Sequence, residues 1–237
     1  MGRGGKGAST LHEMFPDAPL YTSVYDEAKA PWAKIFPKVY TSFLQNIPFA
    51  KGNHELLGWL MPFAFESFST GGGARFDKYD LVISVTSEAA KGIITKPKTI
   101  HICYCLTPTR YLWSHYDFYF KNKFFRFISK PIVNYLRVWD KVAANRPDRI
   151  IAISTEVKNR IKKYYGRESE VIFPPAVAPH HKNSLLSFSL DADQNYYLIV
   201  SRLVPYKKVD LAVEAFNRLK LPLVIVGSGS ESFKLKL

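Results

Sequence analysis

The chain has 237 residues, of which 47% are hydrophobic and 22% are charged, a balance typical of a folded protein with one large domain or two smaller ones. Its longest uncharged run, residues 39–50, is far shorter than the ~20 apolar residues that cross a bilayer, and no secretory signal is evident at its start. The net charge of +13 predicts attraction to polyanions: nucleic acid, anionic lipid or phosphate-rich substrates.

Short apolar runs alternate with helical patterns along the chain. Strands are predicted over Leu20–Tyr25, Val39–Phe43, Leu81–Val85, Thr99–Cys105, Arg149–Ile153, Glu170–Phe173, Tyr196–Val200 and Leu223–Val226. Helices are predicted over Glu88–Gly92, Tyr116–Asn145 with a break or kink near Pro131, Thr155–Tyr165 and Val209–Leu219. This alternation predicts doubly wound α/β sheets.

The two cysteines, Cys103 and Cys105, lie two residues apart on the fourth predicted strand and therefore on the same face of it. Because no second pair exists to complete a metal site, we expect no metal and two reduced thiols in or near the core. Such thiols favour a cytoplasmic protein.

Aromatic and basic residues are interleaved between Tyr111 and Arg137. The aromatics are Trp113, Tyr116, Phe118, Tyr119, Phe120, Phe124, Phe125 and Phe127, and the cations among them are Lys121, Lys123, Arg126 and Lys130. This composition suits a membrane interface, but it equally suits a buried helical hairpin whose cations extend to water. No known DNA- or RNA-binding module is present, so we expect no nucleic-acid partner.

Prolines and a polar run between Pro174 and Asn195 predict a linker. The domains would then be residues 1–174 and 196–237, joined by residues 175–195. The second domain is too short for a complete open α/β sheet. No strand precedes the glycine-rich turn at residues 2–5, so both ends of the sequence are expected to be truncated.

The strand ending at Val200 is followed by a loop that carries Arg202 and Lys207, just before the helix at Val209. Two cations converging on a helix N-terminus, with its free N–H groups and positive dipole end, are suited to bind an anion. The alternative is an ordinary strand–loop–helix connection with solvated cations.

This loop resembles the donor-diphosphate loop of family-4 retaining glycosyltransferases, especially the mannosyltransferase-like enzymes of O-antigen and exopolysaccharide synthesis. Further segments, in the same order, are similar to the acceptor domain of that family: residues 3–5, 15–22, 41–45, 79–84, 101–105, 107–108, 110–111, 139–140 and 144–146.

The resemblance implies a GT-B fold, in which a Rossmann-like N-terminal acceptor domain faces a second Rossmann-like donor domain, here incomplete. The donor would be GDP-mannose or a UDP-sugar, transferred with retention and without metal or other cofactor, and Arg202 and Lys207 would stabilise the leaving diphosphate. Donor binding would also involve Gly4, Gly5, Gly227 and Ser228, and the acceptor side Thr107, Arg110 and Tyr111. The G-S-G run at residues 227–229 also fits a plain strand-to-helix turn, since a dinucleotide fingerprint needs a third glycine.

The sequence departs from the family pattern at three places. Leu106 stands where members usually carry a histidine facing the reacting sugar, which leaves His101 and His115 as candidates to compensate. Residues 6–10 replace the usual helix opening after Gly5 and weaken that helix. The acidic pair that members place further along is absent.

The resulting hypothesis is a hexosyltransferase, of the mannosyl class, acting on a glycan or lipid-linked acceptor at the inner face of the membrane. As a truncated chain it is expected to be inactive alone. The alternative is a non-catalytic basic α/β module that binds an anionic membrane or a partner chain. A nicotinamide oxidoreductase is disfavoured, because no G-x-G-x-x-G follows any predicted strand.

Overall fold

The computed structural model describes residues 3–48, 50, 54–70, 76–114, 116–119, 122–174 and 196–236. The chain divides into two compact units, Met1–Val177 and Ala178–Leu237. The predicted linker, residues 175–195, lies outside the described residues, as do Gly2, His115, Phe120 and Lys121.

The described part of the chain contains eight strands and six α-helices. The strands are β1 (Leu20–Thr22), β2 (Val39–Thr41), β3 (Leu81–Thr86), β4 (Ile100–Cys105), β5 (Arg149–Ala152), β6 (Glu170–Val171), β7 (Tyr197–Val200) and β8 (Leu223–Val226). The helices are α1 (Arg3–Met14), α2 (Met61–Thr70), α3 (Tyr116–Tyr119), α4 (Lys123–Ala143), α5 (Thr155–Tyr165) and α6 (Val209–Leu219). Shorter 3₁₀ turns cover Pro31–Ile35, Phe43–Asn46, His54–Leu60, Phe76–Lys78, Ala89–Gly92, Pro205–Lys207 and Lys234–Lys236.

A four-stranded parallel sheet with strand order β3-β4-β5-β6 forms the centre of the first unit. Alternate residues of its strands are buried on one face, including His101, Cys103 and Cys105 of β4. Both thiols are free and buried, which confirms the predicted placement of the cysteines. Burial raises the pKa of both thiols, so they remain protonated and behave as small apolar side chains.

Strands β1 and β2 form a separate two-stranded parallel sheet in the same unit. Tyr21 of β1 packs at the centre of an aromatic cluster with Phe68 and Phe76, and its hydroxyl is 3.0 Å from that of Tyr79. The pairing ends at Thr22 and Thr41, because the Ser42 hydroxyl then donates to the Ser23 carbonyl at 2.7 Å. Both strands therefore stop earlier than predicted.

All eight predicted strands are present, each beginning within one residue of its predicted start. Helices α5 and α6 have their predicted bounds. In α5, the Ser154 hydroxyl accepts a hydrogen bond from the Val157 N–H at 3.2 Å, and Gly166 ends the helix at φ 69°. The sequence thus contained both capping signals.

The sequence predicted a break or a kink of the long helix near Pro131, and the helix is not broken there. Helix α4 runs through Pro131; it begins at Lys123, and the Asn122 side chain caps it by accepting from the Phe124 N–H at 2.8 Å. A proline inside a helix leaves the carbonyl four residues earlier without its partner, here that of Phe127. Phe127 is highly exposed, so water reaches this position.

The second unit contains β7, α6 and β8. The two strands pair in parallel, from Tyr197 opposite Leu223 to Val200 opposite Val226. Helix α6 follows β7 and contacts it through an edge-to-face pair of Phe216 with Tyr197. A parallel strand–helix–strand arrangement is the repeating element of α/β folds.

Candidate functional site

Two loops leave the carboxyl ends of β7 and β8 side by side. The first covers residues 201–208 and the second residues 227–232; together they are called the carboxyl-edge loops. The Ser201 N–H donates to the Val226 carbonyl at 3.0 Å, and the Leu203 N–H donates to the Ser228 carbonyl at 2.9 Å. The strand register therefore continues into the loops, at the edge where open α/β sheets bind ligands.

Two glycines permit this close pairing. A Cβ atom on Gly227 would lie 1.8 Å from the Ser201 carbonyl oxygen, and one on Gly229 would lie 2.1 Å from that of Leu203. Both neighbours are backbone atoms and cannot rotate away. Any larger residue would push the two loops apart, so the glycines allow the two loop backbones to remain in direct contact.

Arg202 and Lys207 both lie on the first of these loops and are exposed. Among the described residues neither has a carboxylate partner; Lys207 Nζ lies 5.8 Å from the Tyr206 ring centroid. Helix α6 begins next at Val209, and no side chain caps its N-terminus, because Lys208 occupies the capping position at φ 53°. The loop thus carries two available cations beside uncapped helical N–H groups, an arrangement suited to an anion.

A second candidate region is the loop after β4, residues 106–114, in the first unit. It carries all three residues predicted for the acceptor side, but they point into different environments. Thr107 is buried and its hydroxyl has no hydrogen-bond partner among the described residues, whereas Arg110 is exposed. Tyr111 is half-buried beside Leu112, and burial raises the pKa of its phenol, which keeps the hydroxyl neutral.

Asp140 of α4 holds this loop in place. Its carboxylate is buried and accepts hydrogen bonds from Lys91 Nζ at 2.5 Å, Thr109 Oγ1 at 3.0 Å, Trp113 Nε1 at 2.8 Å and Tyr165 OH at 2.8 Å. Thr109 and Trp113 belong to the loop after β4, so the buried carboxylate holds both the middle and the end of this loop. In the sequence, Asp140 is marked only by the family resemblance, because its four donors come from distant parts of the chain.

A comparison with protein-family models matches residues 182–237 to the family described as Glycosyl transferases group 1. The match contains both carboxyl-edge loops. The matched segment lies within the second unit and supports a glycosyltransferase. A search of the curated proteins found no match.

The family match has a direct chemical meaning for the carboxyl-edge loops. Group 1 glycosyltransferases use a nucleotide-sugar donor and a glycan acceptor, and the donor carries a diphosphate. Arg202, Lys207, Gly227 and Ser228 all fall in the matched segment, and the neighbours of Arg202, Ser201 and Leu203, hydrogen-bond to Val226 and Ser228. Gly229 belongs to the G-S-G run noted in the sequence, but its close approach to Leu203 follows only from the continuing strand register.

Leu106 stands at the position where the resembled family carries a histidine, directly after the end of β4. Leu106 is half-buried there and packs against the apolar cluster that contains Cys103, Cys105 and Ala152. His101 lies five residues earlier, about 16 Å along an extended strand and on the opposite face. Its Nε2 is 2.9 Å from the Ser84 hydroxyl, so this histidine belongs to the sheet interior and is not placed to substitute for a residue at 106.

The predicted glycines near the N-terminus lie in a helix. Gly4 and Gly5 fall within the first turn of α1, which begins at Arg3 despite the weak helix formers that follow. The turn predicted at residues 2–5 is therefore replaced by helix from Arg3 onward. Gly7 of the same helix is close to β3, where a Cβ would be 3.9 Å from the Val85 side chain.

Proposed function

We propose that this glycosyltransferase is a retaining, metal-independent enzyme of the GT-B type that transfers a hexose, specifically mannose, from a nucleotide-sugar to a glycan or lipid-linked acceptor. The observation that carries the proposal is the pairing of the carboxyl-edge loops, in which Ser201 and Leu203, the residues on either side of Arg202, contact residues 226–229. The retained configuration and the mannosyl class rest on the family-4 resemblance of the sequence.

The chemistry asks the protein to stabilise a nucleoside diphosphate leaving group, on which negative charge grows as the glycosidic bond breaks. Arg202 offers a planar fork of donors that matches two phosphate oxygens, and Lys207 supplies a point charge. Fixed cations aimed at developing charge replace the divalent ion that other transferases use. Their exposure and the lack of a carboxylate partner among the described residues leave both cations free for this task.

The acceptor would be held by the loop after β4. Arg110 is exposed there and suits a phosphate of a lipid-linked acceptor, while the neutral Tyr111 hydroxyl suits a sugar hydroxyl. The Asp140 hydrogen bonds fix the loop before substrate arrives, which lowers the entropic cost of binding.

Calorimetric titration of the full chain with GDP-mannose, GDP and UDP-glucose tests the donor site. Arg202→Gln and Lys207→Gln should each weaken binding about tenfold or more, since each removes a charge-assisted hydrogen bond. Gly227→Ala should weaken it as well by separating the loops. Affinity should be the same with magnesium and with a chelator, and GDP-mannose should bind more tightly than UDP-glucose.

The matched control is Lys220→Gln, which removes an exposed cation from the other end of α6, about 16 Å away. It should bind the donor like the wild type. An equal loss of donor affinity in Lys220→Gln would show that only the overall positive charge matters. Unchanged affinity in Arg202→Gln and Lys207→Gln would refute the proposed site.

A further inference from the structure

Helix α4 presents three distinct faces along its 21 residues. The inner face packs against the first unit and contains Val133, Leu136, Asp140 and Ala143, all buried. The other two faces point to solvent and differ sharply in chemistry.

One outward face is apolar over the whole length of the helix. It consists of Phe124, Phe127, Ile128, Pro131, Tyr135, Val138 and Val142, which fall on one side of the helix and are all exposed. We call these residues the α4 stripe. Phe127 is 78% exposed and Phe124 and Val138 are each 66% exposed. Helical geometry places the stripe in an arc of about 100° and extends it over about 30 Å.

The adjacent outward face is basic. It carries Lys123, Arg126, Lys130, Arg137 and Lys141. Arg126 pairs with Asp117 at 3.1 Å, and Arg137 donates to the Leu112 carbonyl at 2.8 Å. Lys123, Lys130 and Lys141 are exposed and lie along the border of the α4 stripe.

The helix carries one carboxylate, that of Asp140, which is buried and paired with Lys91. The outward surface of α4 therefore combines an apolar arc with cations and has no acidic residue of its own. This surface complements a partner that is apolar inside and negatively charged outside.

We propose that α4 lies flat in the interface of an anionic lipid bilayer, with the α4 stripe among the acyl chains and the lysines at the head groups. The combination of an apolar arc and a cationic border is typical of helices that lie in a membrane surface. A second copy of the chain is a poorer occupant, because pairing two such faces brings their cations together. No helix in the described ranges is long and apolar enough to cross a membrane.

The sequence allowed two interpretations of residues 111–137, a membrane interface and a buried helical hairpin. A fully buried hairpin is wrong, since Phe124 and Phe127 face solvent. Trp113 and Tyr116 do pack inward, with the Arg137 guanidinium 5.8 Å and 4.7 Å from their ring centroids. The side chains of Phe118 and Phe125 lie outside what the structure describes.

Sedimentation of the full chain with vesicles tests the proposal. Vesicles of phosphatidylcholine with phosphatidylglycerol should bind the chain, and vesicles of phosphatidylcholine alone should bind it far more weakly. The double variant Phe124→Ser with Phe127→Ser should lose at least tenfold in affinity. Lys123→Gln, Lys130→Gln and Lys141→Gln should each lose about fivefold, from about 1 kcal/mol per cation near an anionic leaflet.

Matched controls use exposed residues elsewhere in the first unit: Phe63→Ser with Phe173→Ser for the aromatics, and Lys98→Gln, Lys158→Gln and Lys163→Gln for the cations. These should bind vesicles like the wild type. Equal binding to both vesicle types, or equal losses in stripe and control variants, would overturn the proposal. A concentration-dependent dimer that Phe124→Ser with Phe127→Ser abolishes, without vesicle binding, would overturn it in favour of a second copy.

Discussion

At the residue scale, His101 shows how burial sets the chemistry of a side chain. It is fully buried in the sheet of the first unit, with Nε2 near Ser84 and its backbone N–H donating to Asp148 at 2.7 Å. Its Nδ1 has no hydrogen-bond partner among the described residues. Burial lowers the pKa of His101 to about 4, against a smaller opposing effect of the Asp148 charge.

This shift makes the stability of the first unit depend on pH. Because the native histidine binds its proton only near pH 4 and the unfolded one near pH 6.5, stability should be complete above about pH 7 and fall as the pH drops through this window. Between pH 7 and about pH 4.5 the loss from this residue should be ~2.5 kcal/mol. Urea unfolding at both pH values measures this loss in the free energy of unfolding. In His101→Gln the loss should be smaller than in the wild type by the contribution of this histidine. Equal losses in both proteins would show that His101 titrates normally.

At the element scale, the buried Asp140 carboxylate joins α4 to the turn that holds Lys91, to the loop after β4 and to the end of α5. Lys91 is buried as well, and its ammonium also donates to the Glu88 carbonyl at 2.6 Å. Burial and the Asp140 charge raise the pKa of Tyr165, which therefore donates as a neutral phenol. These elements are distant in sequence, and the hydrogen bonds to this one carboxylate hold them in their relative positions.

Removing this charge should destabilise the first unit strongly. Asp140→Asn leaves the buried Lys91 ammonium without its counter-charge, at a cost of about 3–5 kcal/mol in the free energy of unfolding. Tyr165→Phe removes a single donor and should cost about 1–2 kcal/mol.

Urea unfolding measures both variants, and Lys91→Met, alone and combined with Asp140→Asn, completes a double-mutant cycle. The combined cost should be smaller than the sum of the single costs, because the pair is coupled. Additive costs, or a loss below about 1 kcal/mol in Asp140→Asn, would contradict the role of this network.

The sequence predicted elements well where a local signal exists. The Ser154 cap, Gly166 and the apolar runs defined α5 and the strands, since caps and strand patterns are local properties. Helix α2 was missed, because it begins at Met61-Pro62 without a polar cap, and α1 was expected only as a weakened helix after Gly5. Helix α4 is not broken at Pro131, where the burial of Val133 and Leu136 favours the helix against one lost hydrogen bond.

At the scale of the whole molecule, each of the two units carries its own candidate site. The second unit carries the carboxyl-edge loops, and the first carries the loop after β4 and the α4 stripe. The sequence predicted Arg202, Lys207 and the G-S-G run at residues 227–229 as candidate donor-site residues, because cations and glycines around a strand end form a recognisable pattern. It did not reveal the close approach of Gly229 to Leu203 or the Asp140 network, which depend on strand register and on contacts between distant elements.

The central claim is that the carboxyl-edge loops hold the diphosphate of the sugar donor. The most direct measurement is the change in backbone amide NMR shifts of the full chain on titration with GDP. The largest changes should fall at residues 201–204, 206–211 and 227–231, and Arg202→Gln should make them much smaller at a GDP concentration that half-saturates the wild type. Changes confined to other parts of the chain, or the same changes in Arg202→Gln, would contradict the account.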